Sequence, residues 1–152
     1  MVVYFSRSKK TEVFAKVLAG LEDMPLFELR SELNDVSTLR LIFKVVSLTL
    51  RGKSSPVFEM PKTLPKKIYV CSPVWAGNFA HPVKYFLQNA DLTDVEVNAI
   101  ITASTPTGKY VRDTNRFLQG IPCIPGKTTI FATNMETMPE EDVVLEHMQE
   151  LL

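Results

Sequence analysis

Five times along this chain a short apolar run gives way to a segment of helical periodicity, and that alternation constrains the fold more than any other feature. Val2-Val3-Tyr4-Phe5 leads to Val13, Phe14, Val17, Leu18 and Leu21, spaced for one helix face, with Gly20 near the end as a breaker. Pro25–Arg30 reads as a second strand. Val36–Leu50 reads as a helix apolar over much of its circumference, ended by Gly52 and Ser54-Ser55-Pro56. Pro56, Pro61 and Pro65 mark an irregular connection to a third strand, Ile68–Ser72. The next helix starts at His81-Pro82, presents Val83, Phe86 and Leu87, and closes at Asp91–Asp94. Val95–Thr102 is a fourth strand, followed by a helix over Tyr110–Leu118 and a loop over Ile121–Gly126. Lys127–Thr133 is the fifth strand. Met138-Pro139-Glu140-Glu141-Asp142 then starts a helix that runs to Leu152, with proline in the first turn and acids at the positive dipole end.

Strands separated by helices pair in parallel, and a parallel sheet is covered on both faces. The expected architecture is therefore α/β: one domain over 1–152, a doubly wound five-stranded parallel sheet of order 2-1-3-4-5. Composition is consistent with this. The hydrophobic fraction is 45% and the charged fraction 22%, ordinary for a globular domain. Seventeen cations balance seventeen acids, so bulk charge argues for neither nucleic acid nor a membrane surface. Cys71 and Cys123 stand far apart without a CxxC pair, which speaks against a zinc site or disulfide framework and for a reducing cytoplasm. No signal-peptide pattern and no run of about 20 apolar residues is present. The apolar segment 39–50 is suited to lie deep against the sheet or to cover itself with a second copy of the chain, a homodimer contact.

Three of the five strand-to-helix loops are rich in small polar residues, and the expected order brings those three together at the carboxyl ends of the strands, where open α/β sheets bind ligands. The first loop, Ser6-Arg7-Ser8-Lys9-Lys10-Thr11, carries three hydroxyls and three cations ahead of a helix N-terminus. Unpaired N–H groups and the dipole favour an anion there. A plain polar turn with a Ser/Thr cap is the other reading of the same residues. The other two loops are Pro73-Val74-Trp75-Ala76-Gly77-Asn78-Phe79-Ala80 and Ala103-Ser104-Thr105-Pro106-Thr107-Gly108. Cys71 is expected as a core thiol, His81 as an ordinary helix-start residue and His147 as a surface residue.

S-R-S-K-K-T followed by three residues and Ala15 resembles the phosphate-loop signature of flavodoxins and flavodoxin-like proteins, S-R-T-G-N-T-x-x-x-A. S-P-V-W-A-G at 72–77, then Pro82, Phe86 and Leu87, is similar to that family's flavin-ring loop and the helix after it. The resemblance covers the whole chain in element order and length. It implies non-covalent FMN. Ser6, Arg7, Ser8, Lys9, Lys10 and Thr11 would hold the phosphate, and Thr11 would also cap the helix. Pro73, Val74, Trp75, Ala76, Gly77 and Asn78 would lie along the isoalloxazine. Ala103, Ser104, Thr105 and Gly108 would line its other side, with Tyr110 as a second aromatic. The Ala76–Gly77 peptide would be free to turn a carbonyl toward a reduced ring. Lys9 stands where the family has glycine; if that position needs a positive φ, a side chain there costs about 1–2 kcal/mol. Neutral charge also departs from the strongly acidic electron carriers of the family.

The implied function is that of an FMN-binding redox protein, passing electrons to a partner protein or reducing a small acceptor. The alternatives are an FMN-dependent NAD(P)H:quinone-type reductase and an interaction module of the same fold that has lost flavin. A phosphoacceptor domain would need acids after the first strand and an Asp ending the third, where this chain has Ser6 and Ser72. GxGxxG and GxxxxGK[ST] are both absent.

Overall fold

The computed structural model describes residues 1–31, 58–133 and 136–150. Its described elements are β1 (Val2–Tyr4), α1 (Lys10–Leu21), β2 (Leu26–Glu28), β3 (Lys67–Trp75), β4 (Asn78–Phe79), α2 (His81–Asn89), β5 (Glu96–Ala103), α3 (Gly108–Gln119), β6 (Ile124–Ala132) and α4 (Glu141–Gln149). The helix expected over Val36–Leu50, and with it the homodimer contact at 39–50, lies outside the described residues.

The parallel sheet runs β2-β1-β3-β5-β6, with β4 paired antiparallel to β3 off this path. Leaving β4 aside, the five parallel strands stand in the expected order 2-1-3-4-5. Central strands read as continuous apolar runs because both their faces are covered. Alternation along each strand divides the core in two. Val3, Phe5, Ile68, Val70, Val97 and Ile101 pack with Phe79, Val83, Phe86 and Leu118 on the α2/α3 face. Val2, Tyr4, Tyr69, Cys71 and Ile100 pack with Phe14, Leu18, Val144 and Met148 on the α1/α4 face. Cys71 is fully buried, and desolvation pushes its thiol pKa far up, as suits a core residue.

Several boundaries differ from expectation, each for a tertiary reason. The third strand does not stop at Ser72; it continues to Trp75, because Pro73 is still in register with Thr102 and the strand then turns back on itself as β4. The last strand begins at Ile124, inside the expected loop. Pro125 lacks an N–H to give, but β6 is an edge strand, where that is tolerated. An irregularity between Val97 and Ala99 follows, bridged by the Lys127 N–H donating to Asn98 Oδ1 at 2.8 Å. Gly20 does not end α1. The helix runs on to Leu21, and Asp23 takes the left-handed conformation (φ 48°) that glycine usually supplies after a helix. The Met24 N–H closes the motif on the Ala19 carbonyl at 2.9 Å.

Register sets where the loops emerge. Tyr4 is level with Glu28 and Cys71, Cys71 with Ile100, and Pro73 with Thr102. The segments after β1, β3 and β5 therefore leave the sheet side by side at its carboxyl end.

Candidate functional site

The first loop connects buried Phe5 to α1. Ser6 and Arg7 are half-buried, and Ser8 and Lys9 are exposed. The Ser6 hydroxyl oxygen is buried and has no hydrogen-bond partner among the described residues. Such an atom is expensive unless something comes to meet it. It stands just ahead of α1, whose N-cap residue is Lys9 and whose first turn receives no side-chain cap. Lys9 itself has φ 62° and ψ −6°, the left-handed conformation. The position where glycine was expected thus requires the backbone that glycine adopts freely, and lysine adopts it at a cost. Replacing Lys9 by glycine is expected to raise unfolding stability by about 1 kcal/mol in a urea titration, the relief of strain being partly offset by a more flexible unfolded chain.

Thr11 does not cap the helix. It is the second helical residue, nearly inaccessible, and its Oγ1 lies 2.8 Å from Oγ1 of Thr102 at the end of β5, itself buried. This pair ties the first loop's helix to the strand that feeds the third loop. Thr102 was missed from sequence, where it reads only as the last residue of a strand.

The second loop is a hairpin. Val74 pairs with Phe79 and Trp75 with Asn78, leaving Ala76-Gly77 as a two-residue turn with φ 48° and 85°. Positive φ at both positions is the type I′ geometry that matches the strand twist. Alanine is an unusual first residue for it, so the sequence shows a Gly-containing loop here and not a hairpin. Ser72 holds the base of the hairpin: its fully buried hydroxyl donates to the Pro73 carbonyl and accepts from the Ala80 N–H, both at 2.9 Å. Asn78 holds the tip, its Oδ1 accepting from the Phe79 N–H at 2.7 Å and its Nδ2 donating to the Asp113 carbonyl of α3 at 3.2 Å. Trp75 is half-buried and meets Phe5 edge-on, ring centres 5.3 Å apart, so the hairpin packs on the residue that leads into the first loop.

In the third loop Ala103 is half-buried, while Ser104, Thr105 and Gly108 are exposed. Tyr110 lies in the first turn of α3, half-buried and packed against the core of that face. The three polar loops thus share one end of the sheet. Of the histidines, His81 opens α2 half-buried, and His147 is exposed on α4.

No family model and no curated protein matches the sequence. Solved structures do. A flavoprotein from Lactobacillus acidophilus, solved in complex with FMN, is 21% identical over 84% of this chain and 90% of its own, with a TM-score of 0.63. A protein from Bacteroides eggerthii superimposes with a TM-score of 0.72 at 12% identity over 98% of this chain and 94% of its own. The fold is flavodoxin-like. Two-electron reduced flavodoxin from Megasphaera elsdenii also aligns over 96% of both chains, at 14% identity and a TM-score of 0.53. Among the described residues no helix is long and apolar enough to cross a membrane, and no group of His, Cys, Asp or Glu is placed to hold a metal.

Proposed function

We propose that this flavodoxin-like chain binds FMN non-covalently and works as a cytoplasmic redox protein, passing electrons to a partner protein or to a small acceptor through the flavin. The observation that carries the reading is the Ser6 hydroxyl, buried without a partner ahead of an uncapped helix N-terminus. A phosphate would satisfy that hydroxyl and the first N–H groups of α1 together. Ser8 and the cations Arg7, Lys9 and Lys10 would complete its surroundings. Thr11 would contribute its backbone N–H, its hydroxyl being engaged by Thr102. The left-handed Lys9 supports the reading, since the loop keeps the turn that the family makes with glycine. Bound FMN would supply the redox chemistry. The chain's own part would be to hold and shield the ring. Pro73, Val74, Trp75, Ala76, Gly77 and Asn78 would flank it on one side, with Ala103, Ser104, Thr105, Gly108 and Tyr110 on the other. The Asn78 clamp to α3 fixes the spacing between hairpin and helix.

Trp75 is the chain's single tryptophan, so its emission reports on this site alone. Adding micromolar FMN is expected to quench Trp75 and flavin fluorescence in parallel, leaving a yellow protein after gel filtration. A colourless protein with unquenched emission would overturn the proposal in favour of an interaction module without flavin. Bleaching of the bound flavin by NADH or NADPH alone would select the NAD(P)H:quinone-type reductase over the electron carrier.

A further inference from the structure

Beside the hairpin, on its α2/α3 side, lies a depression of about 420 Å³ lined by Gly77, Asn78, Lys84, Asp113, Arg116 and Phe117. Lys84 is half-buried on its wall, with the ammonium 5.8 Å from the centre of the Phe117 ring. A cation withdrawn from water ordinarily has an acid beside it. Among the described residues none pairs with Lys84. Burial alone acts on its ammonium, lowering its pKa. The acid on the same wall, Asp113, is engaged instead by Arg116 at 3.7 Å and gives its carbonyl to Asn78. Arg116 is 82% exposed and sits at the mouth, and Lys109 and Arg112 continue the basic stripe along the exposed side of α3. The balancing acids are elsewhere: Glu140, Glu141, Asp142, Glu146 and Glu150 are exposed on and around α4. A chain of zero net charge therefore has a positive hollow against the tip of its hairpin.

We propose that this hollow binds the anionic group of a small organic molecule, a carboxylate or a phosphate, held by Lys84 from within and Arg116 from the mouth. The walls fit such a ligand. Phe117 offers an apolar face, Asn78 and the Gly77 backbone offer polar edges, and the charge is concave, where a small anion is better desolvated than by an exposed stripe. The link to redox chemistry rests on the FMN reading. The hollow shares the Ala76–Gly77 tip with the flanking loop, so an anion seated here would place the rest of a donor or acceptor next to the ring.

The test is amide chemical-shift titration of the FMN-loaded protein with phenyl phosphate, benzoate and neutral benzyl alcohol. Either anion is expected to shift the amides of Gly77, Asn78, Lys84 and Arg116, and benzyl alcohol is not; the tighter of the two anions identifies the group. Lys84→Gln should weaken that binding about tenfold and Arg116→Gln about threefold, while Lys84→Arg should stay within about twofold of the parent. Equal shifts by benzyl alcohol, an unchanged affinity in Lys84→Gln, or shifts confined to the start of α1 would each overturn the proposal. So would binding of an oligoglutamate peptide without binding of either small anion, which would make the face a protein interface. The same titration without flavin separates the two readings. Shifts around Lys84 in a protein that takes up no FMN leave the anion site standing and remove its redox role; silence in a yellow protein removes the anion site alone.

Discussion

Replacing Ser8 by aspartate is expected to raise the dissociation constant for FMN about 100-fold, a loss of roughly 2.7 kcal/mol, while riboflavin binding changes less than about threefold. The two ligands differ only in the phosphate, so the contrast isolates the first loop. Ser8 is exposed and precedes the N-cap residue Lys9, so the new carboxylate is not forced into the core. It stands in front of α1, where it would compete with a phosphate for the same N–H groups and repel it. Without ligand the substitution should be harmless or slightly stabilising, since an acid at a helix N-terminus is favourable by about 0.3–1 kcal/mol. Thermal melting of the flavin-free protein therefore controls for misfolding. Equal losses for FMN and riboflavin would show that the loop does not hold the phosphate.

The second large effect is expected at the buried hydroxyl pair. Thr102→Val keeps the shape of the side chain but leaves the Thr11 hydroxyl, 2% exposed, without its 2.8 Å partner. Stranding a buried hydroxyl costs about 1–3 kcal/mol, whereas removing both partners together can be nearly neutral. Urea titration of Thr11→Val, Thr102→Val and the double variant should show each single change destabilising, and the double variant at least about 1 kcal/mol more stable than the sum of the singles predicts. Additive losses would mean that the two hydroxyls do not depend on each other. The consequence for binding follows from position. Thr11 is in the first turn of α1 and Thr102 is at the mouth of the third loop, so the pair sets how the first loop sits against the β5 end. A weakened FMN affinity in Thr102→Val, recovered in part by the double variant, would connect that packing to the site.

Much of the candidate site was legible because it rests on local chemistry. Ser6, Ser8 and the cations around them stand between an apolar run and a helical period, and that order marks a helix N-terminus whatever the rest of the chain does. Gly77 lies in a stretch that reads as a loop, and His81-Pro82 marks the start of α2. The residues that were misread depend on partners far along the chain. Thr11 was expected as a cap, but its hydroxyl bonds a residue 91 positions away. The Asn78 amide clamps a helix 35 positions away, a contact that no spacing shows and that leaves the expectation of Asn78 beside a ring standing. Pro125 reads as a loop residue because proline breaks most strands, and only the edge position of β6 makes it acceptable there.

The sequence by itself determined the alternation of strand and helix, the parallel pairing it requires and the end of the sheet where the polar loops gather, because periodicity and breakers act between near neighbours. Tertiary structure alone decided that, among the described residues, the buried Ser6 hydroxyl is unmet and half-buried Lys84 has no acid paired with it, and that Lys9 holds a glycine's backbone. Burial, backbone angle and the absence of a countercharge are set by which distant segments pack together, and no spacing within the chain encodes them.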